Sequence, residues 1–438
     1  MTPVEITLIM FASMLILMLM GLPITFCLGT VGVLATIMLW NTRALNVVYF
    51  SLMGVSSSIV LTAVPLFIFM GFMFHYSGIA SDMFDTIYKW AGAVNGALAA
   101  GTVIICAIIA AMIGISGPTV MSLGVLVVPA MIERGYDKKL ALGTVMSGWA
   151  LGFLIPPSLM MIMYGFLCDV SVGKLFAGGV IPGVMLALIY IVYIMIRCFF
   201  RPQDGPALPK EKRASWREKF VSLRYLICPG ALIAILLSAI FTGTASPTEA
   251  AGLGAGLSIL VAAAHRRLSL KALSETCRHT MRITGFAGYI TICAIIFSKT
   301  YTALGATAMI KNLVVGLDVA PFAILIVMQL SFFVLGMFLD DIAILFLCMP
   351  IYLPIIKALG FDPVWFGILY VLNMQMAYLT PPYGLNLFFM KAVAPPDVTI
   401  KHIYTAIIPF LCLQMLALVI VMAFPQLALF LPNLIFNQ

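Results

Sequence analysis

The sequence predicts an all-α integral membrane protein. Three observations carry that reading. Of its 438 residues 63% are hydrophobic and only 9% charged, whereas a soluble domain carries about 25% charged residues. The apolar residues come in long runs: Ile6 to Leu22, Val180 to Ile196, Leu226 to Phe241 and Leu411 to Leu431 each approach or reach the roughly 20 residues that a spanning helix needs. No stretch alternates with the short two-residue period of a membrane β-strand. Because the bilayer core holds no water to satisfy backbone groups, spans must be helices or closed barrels, and the pattern leaves helices. Roughly ten to fourteen embedded segments are expected.

At the start, Met1 to Glu5 lacks a basic leader and the apolar run continues to Trp40, interrupted by Pro23. That reads as a retained first helix or pair of helices. The nine cysteines show no CxxC or clustered spacing, so they read as small buried hydrophobes. The four histidines lie far apart, and no metal site is expected. A net charge of +8 is not a nucleic-acid signal here. Its largest cluster lies between Arg197 and Arg224 near the middle of the chain, as the positive-inside rule expects of a cytoplasmic connector. A second basic patch, Arg266, Arg267, Lys271, Arg278 and Arg282, is interleaved with Leu270, Leu273, Cys277 and Met281. That spacing suits a helix on the cytoplasmic membrane surface.

An internal repeat is the most informative feature. Pro129, Gly135, Tyr136, Asp137, Pro156 and Pro157 recur, 225 positions later and without a gap, as Pro354, Gly360, Phe361, Asp362, Pro381 and Pro382. Farther on, Asp169 to Phe176 resembles Asp397 to Tyr404. The chain reads as a duplication, residues 1–213 and 214–438, joined at the basic connector. Duplicated hydrophobic halves are a recurring build of secondary transporters. Arg134, Lys138 and Lys139 flank the turn of the first copy, against Lys357 alone in the second. That charge asymmetry favours inverted repeats.

The proline pairs fall inside apolar segments, about 140–164 and 365–390. Proline removes a donor and clashes with the preceding turn, so a pair interrupts a helix. Unwound backbone at membrane depth survives only when buried in protein or lining a cavity; its carbonyls suit a sodium ion, and half-helix N-termini favour anions. Upstream of each break, Gly114 to Thr119 and Leu335 to Asp341 cut apolar stretches with small or polar residues. These read as tips of re-entrant hairpins spanning about 93–132 and 320–357. Asp340 and Asp341 are expensive at membrane depth, roughly 3 kcal/mol each on insertion scales, which marks them either for cation coordination or charge balancing at a site, or for capping a helix at a water-exposed hairpin tip. Glu249, behind Ser246-Pro247-Thr248, reads as a helix cap. No nucleophile–base set appears, so an enzyme is not expected, and paired broken helices suit alternating access better than a continuous pore.

These residues resemble the large membrane subunit of TRAP (tripartite ATP-independent periplasmic) transporters. The resemblance rests on Ala245-Ser-Pro-Thr-Glu-Ala-Ala251, on Ile132 to Lys138 and Gly152-Phe-Leu-Ile-Pro-Pro-Ser158, on Gly336-Met-Phe-Leu-Asp340, and on Leu379-Thr-Pro-Pro-Tyr-Gly-Leu-Asn-Leu387. In order, they cover nearly the whole chain. The resemblance implies an elevator-type carrier with a mobile transport domain, two re-entrant hairpins, two broken helices and a scaffold. It implies sodium-driven import of a carboxylate-bearing organic acid at the bacterial inner membrane. The partners would be a small four-helix membrane subunit and a soluble periplasmic substrate-binding protein. Carried over by position, one sodium site would use Ser116 and Thr119 with Gly152, Ile155 and Pro157; the other would use Gly336, Ala377, Thr380 and Tyr383. Asp340, Asp341, Pro156, Pro381, Pro382 and Asn386 would serve the substrate or its gating. The chain departs from the family pattern in a shorter first hairpin tip, in Ala377 for glycine, in Tyr383 for a small aliphatic residue and in the Asp340–Asp341 pair. A stand-alone cation–carboxylate symporter of a related elevator lineage is the alternative expectation.

Overall fold

The computed structural model describes residues 1–40, 42–90, 92, 94–113, 117–208, 213–382 and 384–436. Among the described residues all regular structure is helical. Seven helical segments among the described residues are long and apolar enough to cross a bilayer: Ile59–Tyr76, Val172–Phe200, Trp216–Phe241, Pro247–Ala264, Leu270–Ala303, Asp341–Ala358 and Ile400–Ala423. Much of the remaining apolar chain forms shorter helices, because glycines and prolines cut it before a full crossing is reached. The first apolar run is such a case: Pro3–Leu19 and Ile24–Ala35 are separated by a turn with Gly21 at φ 86° and Pro23.

Two expected elements differ in the structure. The run Leu411 to Leu431 is not one helix; Ile400–Ala423 ends at Phe424, and Gln426–Phe436 starts anew after Pro425. Hydropathy sees no boundary there, but proline cannot continue the hydrogen-bond ladder. The basic patch at 266–282 does not form a separate surface helix either. From Leu270 it is the first part of a continuous 34-residue helix, Leu270–Ala303. At 1.5 Å per residue that helix is about 50 Å long, and a hydrocarbon core of about 30 Å leaves its basic turns outside the bilayer.

Local structure recurs at the duplicated motifs. Gly135 and Gly360 both adopt left-handed φ, 83° and 79°. Two residues on, Asp137 and Asp362 cap the helices Lys138–Ala150 and Pro363–Ala377 by accepting from backbone N–H groups. Ser171 and Thr399 cap Val172–Phe200 and Ile400–Ala423 in the same way. At Ala245 to Ala251 a capping box forms, with Pro247 in the first turn. The Glu249 carboxylate accepts from the Ser246 backbone N–H and hydroxyl at 2.7 and 2.8 Å, so Glu249 does serve the helix start.

Arg197, near the end of Val172–Phe200, ties the first duplicated turn to the connector. Its Nη2 donates to Asp137 Oδ1 at 2.9 Å and its Nε to Asp204 Oδ2 at 2.8 Å. Both carboxylates also belong to ordered backbone: Asp137 caps the helix start, and its own N–H donates to the Asp204 carbonyl at 2.9 Å. The group is partly buried, between the negligible value of an exposed pair and the several kcal/mol lost on breaking a buried one. Arg197→Gln is therefore expected to destabilise the purified protein by about 2 kcal/mol, read as a lower unfolding temperature. An unchanged temperature would reduce this network to a surface contact. Next to Asp137 in the chain, Lys138 pairs with Asp397 in the loop before Ile400–Ala423.

Candidate functional site

Both proline pairs sit where helices stop. Lys138–Ala150 tightens into a single 3₁₀ turn, Leu151–Phe153, and helix resumes only at Leu159–Cys168. Between them Pro156 and Pro157, joined by a cis peptide bond, are buried. Ser158 bridges the gap: its hydroxyl donates to the Phe153 carbonyl at 2.6 Å, and its oxygen caps Met161 N–H at 3.4 Å. Gly152 is buried in the 3₁₀ turn, and Ile155 N–H donates to the Leu151 carbonyl at 2.8 Å. The unwound stretch is backed by Val172–Phe200, where a Cβ on Gly179 would lie 2.5 Å from the Leu154 carbonyl oxygen. Glycine is required there because the helix backbone rests directly on the break.

The second break follows Pro363–Ala377 and ends at Leu385–Val393, with a cis bond between Pro381 and Pro382. Thr380 is buried and its hydroxyl donates to the Met376 carbonyl at 2.7 Å. Its N–H donates to Ala377 O at 3.2 Å, Gly384 N–H to Thr380 O at 3.0 Å, and Asn386 N–H to Tyr378 O at 3.2 Å. These local bonds orient the carbonyls, and since each carbonyl oxygen has two lone pairs, a second partner can be accommodated. Pro382 is exposed and Asn386 buried.

Hairpin elements converge on this second break. Pro321–Gly336 and Asp341–Ala358 are joined by the short turn 337–340. A Cβ on Gly336 would lie 2.3 Å from Ala377 Cβ, so the helix end and the break touch backbone to side chain. Asp340 caps Asp341–Ala358, and Asp341 is buried in its first turn. Both carboxylates face the Ile342 N–H, at 3.3 and 2.9 Å. Both also accept from one hydroxyl: Tyr378 OH lies 3.4 Å from Asp340 Oδ1 and 3.0 Å from Asp341 Oδ1. Tyr370 OH donates to the Asp341 carbonyl at 2.6 Å.

The two breaks meet. The ring of Phe153, last residue of the first 3₁₀ turn, packs on the ring of Tyr378 with centroids 4.8 Å apart. Around them the contacts cross over between the halves: Gly117–Ile132 packs on Leu385–Val393, and Asp341–Ala358 packs on Leu159–Cys168.

The structure thus brings Gly336, Ala377, Thr380, Asp340 and Asp341 to one locus, with Gly152, Ile155, Pro156 and Pro157 across the Phe153–Tyr378 contact. Thr119 lies in the first turn of Gly117–Ile132. Ser116 and Tyr383 lie outside the described residues. Sequence reading passed over Tyr378, Phe153, Tyr370 and Ser158. Adjacency to the proline pairs was a signal for three of them; for Tyr370, 29 positions from its partner Asp341, there was none.

Comparison with known proteins decides the family. A family model described as "Tripartite ATP-independent periplasmic transporter, DctM component" matches residues 11–427. The chain belongs to this family. Among relatives of this TRAP large permease, the C4-dicarboxylate TRAP transporter large permease protein DctM of Pseudomonas aeruginosa is 34% identical, covering 93% of each chain. The ectoine TRAP transporter large permease protein TeaC of Halomonas elongata is 30% identical over 98% of this chain and 100% of its own. The sialic acid TRAP transporter large permease protein SiaM of Vibrio cholerae is 28% identical over 94% and 95%. All are transport permeases. Among solved structures, the Alcanivorax borkumensis YdaH transporter shares the fold, with a TM-score of 0.62 at 13% identity over 88% of this chain and 89% of that one. With its apolar helices and this family, the TRAP permease is a multi-pass inner-membrane protein.

Proposed function

We propose that this permease imports a carboxylate-bearing organic acid in symport with sodium, working with a small four-helix membrane subunit and a periplasmic substrate-binding protein. The observation that carries the reading is the meeting of two interrupted helices at Phe153 and Tyr378, beside a hairpin turn that carries Asp340 and Asp341. Oriented carbonyls and the Thr380 hydroxyl supply hard oxygen ligands for sodium, and bound sodium offsets an anionic cargo. Ser116, Thr119, Gly152, Ile155 and Pro157 would form one sodium site; Gly336, Ala377, Thr380 and Tyr383 the other. Relatives that carry C4-dicarboxylates, sialic acid and ectoine support an organic acid or zwitterion as cargo.

The two copies act as inverted repeats in this reading, and the hairpins re-enter the membrane. The unit of hairpins and broken helices slides as an elevator against the scaffold. Between Ile59–Tyr76, Leu270–Ala303 and Leu159–Cys168, the half-helix after the first break, lies a cavity of about 230 Å³, in which the hydroxyls of Ser56, Ser58, Thr62, Thr284 and Thr291 are set in a largely apolar lining. Sodium couples only where the translocating state binds it differently from the others.

The test is uptake by the reconstituted tripartite complex across a sodium titration. Thr380→Ala combined with Ser116→Ala should weaken the sodium dependence, and an unaltered sodium response would show the sites to be misplaced. Omitting the binding protein from the same assay should abolish uptake. Undiminished transport without it would instead favour a stand-alone carrier.

A further inference from the structure

Three helix ends that take no part in the breaks form a basic pocket of about 390 Å³, lined by Asp82, Arg224, Tyr225, Ala264, His265, Arg266 and Arg267. Arg224 opens Arg224–Phe241; His265, Arg266 and Arg267 follow Pro247–Ala264; Asp82 lies in Ile79–Trp90. Three guanidinium groups thus line it with one carboxylate. Arg267 is accounted for by its ion pair with Asp82 at 3.4 Å. Among the described residues Arg224 reaches the hydroxyl and ring of its neighbour Tyr225 and forms no ion pair. Arg266 forms no ion pair or side-chain hydrogen bond among the described residues.

The backbone under Arg266 is the second observation. Its φ is +54°, at the position after the helix C-cap His265. Arg266 N–H donates to Ala263 O and Arg267 N–H to Ala262 O, both at 2.9 Å, the paired closing bonds of a helix end that normally takes glycine there. A side chain in this left-handed region costs roughly 1 kcal/mol. Attraction to the helix C-terminus favours any cation in the last turn, but it does not require an arginine at the one position where glycine fits better.

We propose that this pocket binds the phosphate of an anionic phospholipid headgroup. Its surroundings place it at the membrane surface. It lies at the start of Arg224–Phe241 and the end of Pro247–Ala264, both parts of apolar spans. Close by in the chain, Leu270 is 87% exposed and Trp216 68% exposed; apolar and aromatic side chains left open beside a basic cluster are what an interfacial region presents. The short helix Trp216–Ser222 adds Phe220, packed with Trp216 against Trp90 at 5.8 and 6.3 Å. Guanidinium groups match phosphate oxygens with paired donors, and the side that carries the basic connector faces the anionic leaflet by the positive-inside rule. Arg224 and Arg266 are the phosphate ligands, with Arg267 held by Asp82 as the pocket wall.

The test titrates the delipidated full-length permease with phosphatidylglycerol or phosphatidylcholine, following bound lipid by native mass spectrometry. Arg266→Gly relieves the left-handed strain, so a folding defect cannot explain its effect; Arg266→Lys keeps the charge. Expected is selective retention of phosphatidylglycerol, weakened about five-fold by Arg266→Gly and again by Arg224→Gln, and largely kept in Arg266→Lys. Equal retention of phosphatidylcholine, or no change in either charge-removing variant, overturns the proposal. So does displacement of the lipid by millimolar inorganic phosphate, which would mark a site for a soluble phosphate.

Discussion

Gly336→Ala is expected to lower uptake under the proposed sodium coupling, by about five-fold or more, while leaving the permease folded and inserted. An alanine Cβ at 336 would lie 2.3 Å from Ala377 Cβ, far inside van der Waals contact, so the hairpin end and the second break must separate. Overpacking of this kind costs about 1–3 kcal/mol, which corresponds to roughly five- to more than 100-fold in an equilibrium constant. The strain falls between Gly336 and Ala377, two residues of the second proposed sodium site. It should appear as a rightward shift of the sodium curve more than as lost protein. Ala377→Gly supplies the missing space from the opposite side, so Gly336→Ala with Ala377→Gly should recover most of the sodium affinity. Uptake that stays normal in Gly336→Ala would show that this contact is slack. A double variant as defective as the single would show that the loss does not come from the Gly336–Ala377 clash.

What the sequence made legible was local chemistry. Consecutive prolines must interrupt a helix wherever they fall, so Pro156–Pro157 and Pro381–Pro382 announced both breaks without tertiary information. Ser246-Pro247-Thr248-Glu249 announced its cap for the same reason, since donor and acceptor lie three residues apart. Hydropathy was less exact about boundaries: Phe424 and Pro425 end a helix inside a run that stays apolar to Leu431. The basic patch at 266–282 has the spacing of an interfacial helix, but only the uninterrupted length of Leu270–Ala303 shows it to be part of a span. The contacts that assemble the site were out of reach. Nothing near Gly179 in the chain signals that it rests on Leu154 O, and nothing in Tyr378 alone signals two carboxylates 37 and 38 positions upstream. Those are products of packing between elements, and in a uniformly apolar sequence packing leaves no periodic trace.

Tyr378→Phe carries the second large effect. The tyrosine does two separable things: its ring packs on Phe153 across the two breaks, and its hydroxyl donates toward Asp340 and Asp341. Phenylalanine keeps the ring contact and deletes the donor. The carboxyl pair then keeps the Ile342 N–H but loses the hydroxyl that bridges it, and withdrawing a donor from a buried acceptor costs on the order of 1–3 kcal/mol. The turn 337–340 is the part with least helical support to resist a shift, so uptake should fall about ten-fold while the unfolding temperature moves little. Asp341→Asn tests the cause, because its amide brings an N–H donor that can reach Asp340 in place of the lost hydroxyl. In the Tyr378→Phe background it should restore part of the activity, whereas a hydroxyl that contacts cargo directly would leave the double variant no better than the single. Tyr378→Ala, which also removes the ring from Phe153, should be worse than Tyr378→Phe. Equal activities for those two would mean that the breaks are not coupled through this ring pair.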